Sequence, residues 1–132
     1  MKSYQLSIQE KPGYLHFQVS GENNLETVQS YLEEVLQRCI EQKYSSVLIE
    51  EFLQGPGLKV IEMFQIAEKS SDISNHLRRV AYVDTNMEHS FANLKFAGTV
   101  ASNRGLNVHI FPSVPDAEQW LHENANGHYV RN

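Results

Sequence analysis

RVAYVDTNMEHSFANLKFAGTVASNRGLNVHIF, residues 79–111, is the stretch that decides the fold. Val80, Ala81, Tyr82 and Val83 form a short apolar run that stops at the turn residues Asp84-Thr85-Asn86. Phe91, Leu94, Ala97 and Ala101 then recur at helical spacing within residues 89–103. Gly105 sits where a left-handed helix stop belongs, and residues 107–111 begin a second strand. A helix between two strands is the usual crossover of a parallel pair, since an antiparallel pair needs only a tight turn.

Toward the amino terminus, residues 4–9 and 14–19 alternate apolar and polar around Lys11-Pro12-Gly13, a hairpin signal. Leu6, Ile8, Leu15, Phe17 and Val19 share one face; Ser7, His16 and Gln18 share the other. After Gly21 the period changes. Leu25, Val28, Leu32, Val35, Leu36, Cys39 and Ile40 form one stripe, which predicts a helix from about residue 25 to 42, capped by Asn23 or Asn24. Cys39 lies in that stripe and reads as a small core residue.

Residues 46–51 predict a strand whose Val47-Leu48-Ile49 core is apolar on both faces, which suits a central position. Phe52-Leu53-Gln54-Gly55-Pro56-Gly57 reads as a turn-rich connection with two exposed apolar residues. A helix over residues 58–69 follows, with Val60, Ile61, Phe64 and Ala67 inward, then a loop or short helical turn over 70–77. Ser113 or Asp116 starts a last helix carrying Ala117, Trp120 and Leu121, and the polar residues 124–132 are expected to fray. The order β-β-α-β-α-β-α-β-α predicts an α/β single domain over residues 1–132. It is a βα superhelix with a mostly parallel mixed sheet of about five strands, an antiparallel edge hairpin and about four helices.

A chain of 132 residues can bury a real core in one domain. Its net charge of −5 argues against nucleic acid as a partner, because phosphate is not attracted. Met1-Lys2-Ser3-Tyr4 is followed by no apolar run and no stretch is long enough to span a bilayer, so cytoplasmic residence without an integral membrane segment is expected. A single cysteine rules out an internal disulfide and a cysteine-based zinc site. His16, His76, His89, His109, His122 and His128 lack zinc-closing spacings, so no metal and no cofactor is expected.

The element order, the Val47-Leu48-Ile49-Glu50 strand, the Arg79-Val80-Ala81-Tyr82-Val83-Asp84 strand and the run from Phe96-Ala97-Gly98 to Asn103-Arg104-Gly105 resemble the SpoIIAA-like family. That family belongs to the wider STAS group and is related in fold to CRAL–TRIO lipid-transfer domains. The resemblance covers nearly the whole chain and rests on packing and capping motifs. It implies a compact βα superhelix and a binding or regulatory role. Anti-sigma antagonists of the group carry a switch serine at the start of the helix after the third strand. Here that segment is Gly55-Pro56-Gly57-Leu58-Lys59-Val60, and residues 51–69 contain no Ser, Thr or Tyr to accept a phosphoryl group.

In an open parallel sheet, ligands gather at the carboxyl ends of the strands. Residues 20–24, 50–57, 84–89 and 112–115 fall there. Glu50, Asp84 and His89 are the most suggestive set, since one carboxylate could orient an imidazole while the other acts as acid or base. The plain alternative is that Asp84 and Asn86 cap the next helix while Glu50 ends a strand in solvent. Gly55-Pro56-Gly57 lacks the Lys-Ser/Thr pair of a phosphate loop and reads as a tight turn. Arg104 falls at a helix carboxyl end, where a cation complements the dipole.

The main expectation is a non-catalytic binding or regulatory module acting through a protein partner or self-association. Two alternatives stand beside it. One is a carrier or sensor of a small apolar or lipid-like ligand held around Phe64 and Phe91. The other is an enzyme using Glu50, Asp84 and His89. The candidate ligand-binding residues are Glu50, Phe52, Leu53, Gly55, Phe64, Asp84, His89 and Phe91, joined for an apolar ligand by Met63 and Phe96. Most helices are expected on the Phe17/Val108 side of the sheet. The other face would then show an apolar strip at Leu48, Ala81 and Val83, a docking surface unless a helix, such as the first, crosses to cover it.

Lys11, Arg38, Lys43, Lys69, Arg78, Arg79 and Arg104 map to the amino-terminal edge of the parallel strands, and Glu22, Glu26, Glu50, Glu51, Asp84, Glu88, Asp116 and Glu118 to the carboxyl-terminal edge. The usual ligand edge is therefore acidic, with Lys59 almost its only cation. Calorimetric titration with ATP or GTP should show no micromolar binding; micromolar affinity at this edge would overturn the electrostatic exclusion.

Overall fold

Strands and helices follow the two periods in the sequence closely, and the places where they depart from them position the site. The computed structural model describes residues 3–130; for residues 70, 71 and 124–130 it describes the backbone alone. The elements are β1 (Tyr4–Lys11), β2 (Tyr14–Glu22), α1 (Leu25–Gln42), β3 (Ser46–Gln54), α2 (Val60–Ala67), α3 (Ser70–Ser74), β4 (Arg79–Asp84), α4 (Phe91–Asn103), β5 (Val108–Phe111) and α5 (Val114–Val130). The sheet order is β1-β2-β3-β4-β5. β1 and β2 are antiparallel and the remaining pairs parallel. α5 holds backbone helix through residue 130; side chains from 124 and all of 131–132, where fraying was expected, lie outside the described residues.

Leu15, Phe17 and Val19 of β2, Val47, Ile49 and Leu53 of β3, and Val80 of β4 pack with Val28, Tyr31, Val35 and Cys39 of α1 and Val100 and Ala101 of α4. Each fully buried large apolar side chain contributes about 1.5–3 kcal/mol. α1 begins at Asn24, whose side chain accepts from the Thr27 amide, and burial pushes the Cys39 thiol up to about 12.

Three departures matter. β3 continues to Gln54, so strand alternation extends through Glu51, Phe52 and Leu53, and Leu53 is wholly buried instead of exposed. α2 and α4 are turned so that Val60, Ile61, Phe64, Phe91 and Phe96 face outward, as does Ile40 of α1. In α2 the apolar residues surround the axis, so spacing alone does not choose a face; Met63 and Ala67, four apart, point in. Finally, the strip formed by Leu48, Ala81 and Val83 is covered. These residues are buried against Ala117 and Leu121 of α5, so that face offers no docking strip, and the covering helix is the last one.

α4 ends in a Schellman closure, with the Gly105 amide donating to Ser102 O and the Leu106 amide to Ala101 O. Gly105 has φ of +98°, as its place in the sequence predicted, and Arg104 donates to the Val100 carbonyl. A Cβ at Gly105 would meet only the Ser74 hydroxyl at 3.7 Å, so its cost is backbone alone. At Gly21, φ is +144° and a Cβ would lie 2.5 Å from the Ser3 carbonyl oxygen. Gly105→Ala should therefore lower stability by about 1 kcal/mol in urea unfolding, and Gly21→Ala by clearly more. Equal losses would contradict the crowding at the β1–β2 pairing.

Candidate functional site

Parallel register places Ile49 beside Tyr82 and Glu51 beside Asp84 on the face covered by α1, α2 and α4. Glu51 is 2% exposed. The Tyr31 hydroxyl, from the buried side of α1, donates to Glu51 Oε2, and Tyr82 hydrogen bonds the same carboxylate. Burial pushes Glu51 up to about 7, against the opposing effect of the two tyrosine donors. Both tyrosines stay protonated well above their ordinary range, held there first by burial and then by the Glu51 charge.

Beyond Asp84 the chain turns on its own side chains. Asp84 Oδ1 accepts from the Asn86 amide at 3.0 Å and Asn86 Oδ1 from the Glu88 amide at 2.9 Å. This turn delivers His89 back to the strand, with Nδ1 2.7 Å from Asp84 Oδ2 and Nε2 2.7 Å from the Gly55 carbonyl oxygen. A carbonyl only accepts, so Nε2 carries a proton, and a carboxylate on the other side favours a proton there too. Burial alone would lower the His89 pKa, but the Gly55 and Asp84 acceptors together raise it above its ordinary value. Ser90, not Asp84 or Asn86, caps α4 by accepting from the Asn93 amide. Asn23 donates to the Pro56 carbonyl, and Asn86 to the Leu53 carbonyl.

These groups form the polar end of a cavity of about 370 Å³ between the sheet and α1, α2 and α4. Val28, Leu32 and Val35 of α1, Met63, Ile66 and Ala67 of α2, and Leu94, Ala97 and Ala101 of α4 line its sides. Ile73, Leu77 and Leu106 close the end at the amino-terminal edge of the sheet. Exposed Gly57, Glu88, Ser90 and Asn93 also belong to the lining, so the cavity opens at the carboxyl edge.

Of the residues singled out from the sequence, Gly55, Asp84 and His89 come together here. Glu50 does not. Strand alternation sends it to the α5 face, where it accepts from Gln18 at 3.0 Å and lies 2.9 Å from His16 Nε2. The set Glu50, Asp84 and His89 is thus split by the sheet itself, and both ring nitrogens of His89 are already engaged. Phe52 is on the Glu50 side and Leu53 is in the solid core. Phe64 stacks edge-to-face on Phe96 outside the cavity, and Phe91 lies outside beneath the Lys95 ammonium. An internal pocket exists, but those phenylalanines do not line it. Glu118 also leaves the carboxyl edge: it accepts from Tyr14, at the opposite end of β2. Glu51, Tyr31 and Tyr82 were not singled out from the sequence. Extending the Val47, Ile49 alternation two residues would have brought Glu51 inward.

The folded protein binds the Glu51 proton more tightly than the unfolded chain, whose value is near 4.5. Stability from this group is full below that pH and is lost as pH rises through about 7. Glu51→Gln should therefore stabilise the protein at about pH 8 by up to about 3 kcal/mol and have little effect near pH 4. Denaturant unfolding at both pH values checks this; equal changes at the two would contradict it.

No family model matches this sequence, and no curated protein matches it. Among solved structures, an anti-sigma factor antagonist from Mycobacterium paratuberculosis is 12% identical, with a TM-score of 0.59 over 91% of this chain and 95% of that one. An uncharacterized protein with a SpoIIAA-like fold from Shewanella loihica is 17% identical, with a TM-score of 0.54 over 92% of this chain and 95% of that one. Sequences this divergent share architecture alone, and with its edge hairpin, parallel core and match over 91–92% of its length, the chain has a SpoIIAA-like (STAS-like) fold.

Proposed function

We propose that the protein is a non-catalytic binding module that carries or senses a small, mostly apolar ligand. The cavity supports this reading. Its volume is that of small-ligand sites, and its wall is apolar with a few convergent polar groups at one end. Side chains do not close it, so its apolar wall forgoes packing contacts. A bound apolar molecule would restore those contacts.

A second reading, regulation through a protein partner, has its own observation. Val60, Ile61 and Phe64 of α2 and Phe91 and Phe96 of α4 leave an apolar ridge exposed on adjoining helices. The anti-sigma factor antagonist that shares the fold lends this reading support. A phosphoryl switch at the start of α2 is not part of it, because residues 51–69 carry no hydroxyl.

Calorimetric titration with octan-1-ol, an uncharged probe, tests the cavity. Wild type should bind one equivalent saturably, and Ala97→Phe, which fills the lining, should weaken binding by about tenfold or more. Equal binding by the two, both folded by circular dichroism, would remove the cavity from the function.

A further inference from the structure

The chemistry of the cavity's polar end selects among apolar ligands by their head groups. Glu51, Asp84 and Glu88 line that end, and among the described residues His89 is the one basic side chain in the lining. His89 is committed to Asp84 and to the Gly55 carbonyl. Glu51 is left with hydroxyl donors only: among the described residues, no Lys or Arg forms an ion pair with it. Lys59 and Lys95 lie outside the lining. A carboxylate that is 2% exposed and bonded only to hydroxyls, with the nearby His89 already committed to Asp84, is expensive to ionise. A cation brought in by a ligand would offset that cost, whereas a carboxylate or phosphate head would add like charge to Glu51 and Glu88.

The position of Glu51 also fixes the direction of the chain attached to such a head. Val80, Tyr82 and Asp84 line the cavity in succession along β4. With a rise of about 3.3 Å per residue, the polar end lies about 13 Å from the apolar one. That is close to the extended length of a medium alkyl chain with its head. Resting on the binding reading above, we infer that the cavity selects an amphiphile whose protonated amine seats against Glu51 and whose apolar tail runs along β4 toward Val80 and Leu106.

The titratable groups facing Glu51 are Tyr31 of α1, Tyr82 and Asp84 of β4, and His89 after β4. The tyrosines remain neutral through the physiological range, and His89 gains charge as pH falls. Acidification therefore protonates Glu51 and makes the site less welcoming to a cation.

Octylamine, octan-1-ol and octanoate, titrated calorimetrically at about pH 8 and about pH 5, separate the head from the tail. At the higher pH octylamine should bind about tenfold tighter than octan-1-ol, with octanoate weakest. The advantage of amine over alcohol should largely vanish at the lower pH and in Glu51→Gln. The pH series on wild type reads the same group should that variant not fold. Octan-1-ol or octanoate binding as tightly as octylamine overturns the amine assignment and leaves the binding module standing. An amine preference undiminished at low pH and in Glu51→Gln removes Glu51 from the site. If none of the three binds saturably, the binding reading fails and this inference with it.

Discussion

Along β3 successive side chains leave the sheet on opposite sides, and the register with β4 then sets Ile49 beside Tyr82 and Glu51 beside Asp84. Both faces of this strand are covered, by α1, α2 and α4 on one side and α5 on the other. A one-residue slip would turn Val47, Ile49 and Leu53 away from the larger core and bring Leu48 and Glu50 into it. The same alternation separates two acidic neighbours. Glu50 sits under α5 with His16 and Gln18, while Glu51 enters the cavity between two tyrosines. Adjacent residues of one type thus acquire unrelated chemistry, and the site exists because the register is held from both faces.

The mouth of the cavity is held by bonds between loops. The Asn23 amide donates to Gln54 O, its side chain to Pro56 O, and the Thr85 amide to Glu51 O. Asn86 reaches Leu53 O and His89 reaches Gly55 O. Two connections at the carboxyl edge, β2–α1 and β4–α4, are therefore fastened to the same segment, residues 51–56. The carbonyls of Leu53, Gly55 and Pro56 take their partners from side chains of neighbouring loops. The Asp84–His89 pair adds charge to one of these fastenings, which strengthens it in a site shielded from water.

The architecture was legible because long amphipathic runs state their period. α1 has the bounds its stripe predicts, and Gly105 closes α4 with the positive φ that its position requires. The pairing of Asp84 with His89 was suggested by their shared place at the carboxyl edge of the sheet. Less was legible where periodicity is degenerate. Val60, Ile61, Met63, Phe64, Ile66 and Ala67 encircle α2, so the choice between Met63 and Phe64 as an inward residue falls to packing against α4. Phe52-Leu53-Gln54 resembled a connection because Gly55-Pro56-Gly57 follows at once, yet ladder hydrogen bonds carry the strand to Gln54. Glu51 already falls within the strand predicted over residues 46–51, and the alternation of Val47 and Ile49 sends it, not Glu50, to the site. The closing of the α5 face was hidden for a similar reason: Ala117 and Leu121 mark an apolar helix stripe but not which side of the sheet receives it.

The two functional readings meet in α2. Met63, Ile66 and Ala67 form cavity wall on its inner side, while Val60, Ile61 and Phe64 form the ridge on its outer side. With eight residues and apolar side chains all round, this helix draws its stability from contacts and not from its own length. Its inner contacts with sheet and α4 run across the cavity, so a ligand there would supply packing atoms that α2 otherwise lacks. Occupancy would reach the ridge only if α2 sits differently with and without a ligand, because a ligand shifts only those states it distinguishes by affinity. α4 is coupled in the same manner, since Phe96 carries Phe64 on its outer side while Ala97 and Ala101 face inward. A carrier that does not report its cargo would need no such ridge. The exposed phenylalanines and the buried Glu51 therefore belong to one physical question, namely whether filling the cavity moves the two helices that roof it.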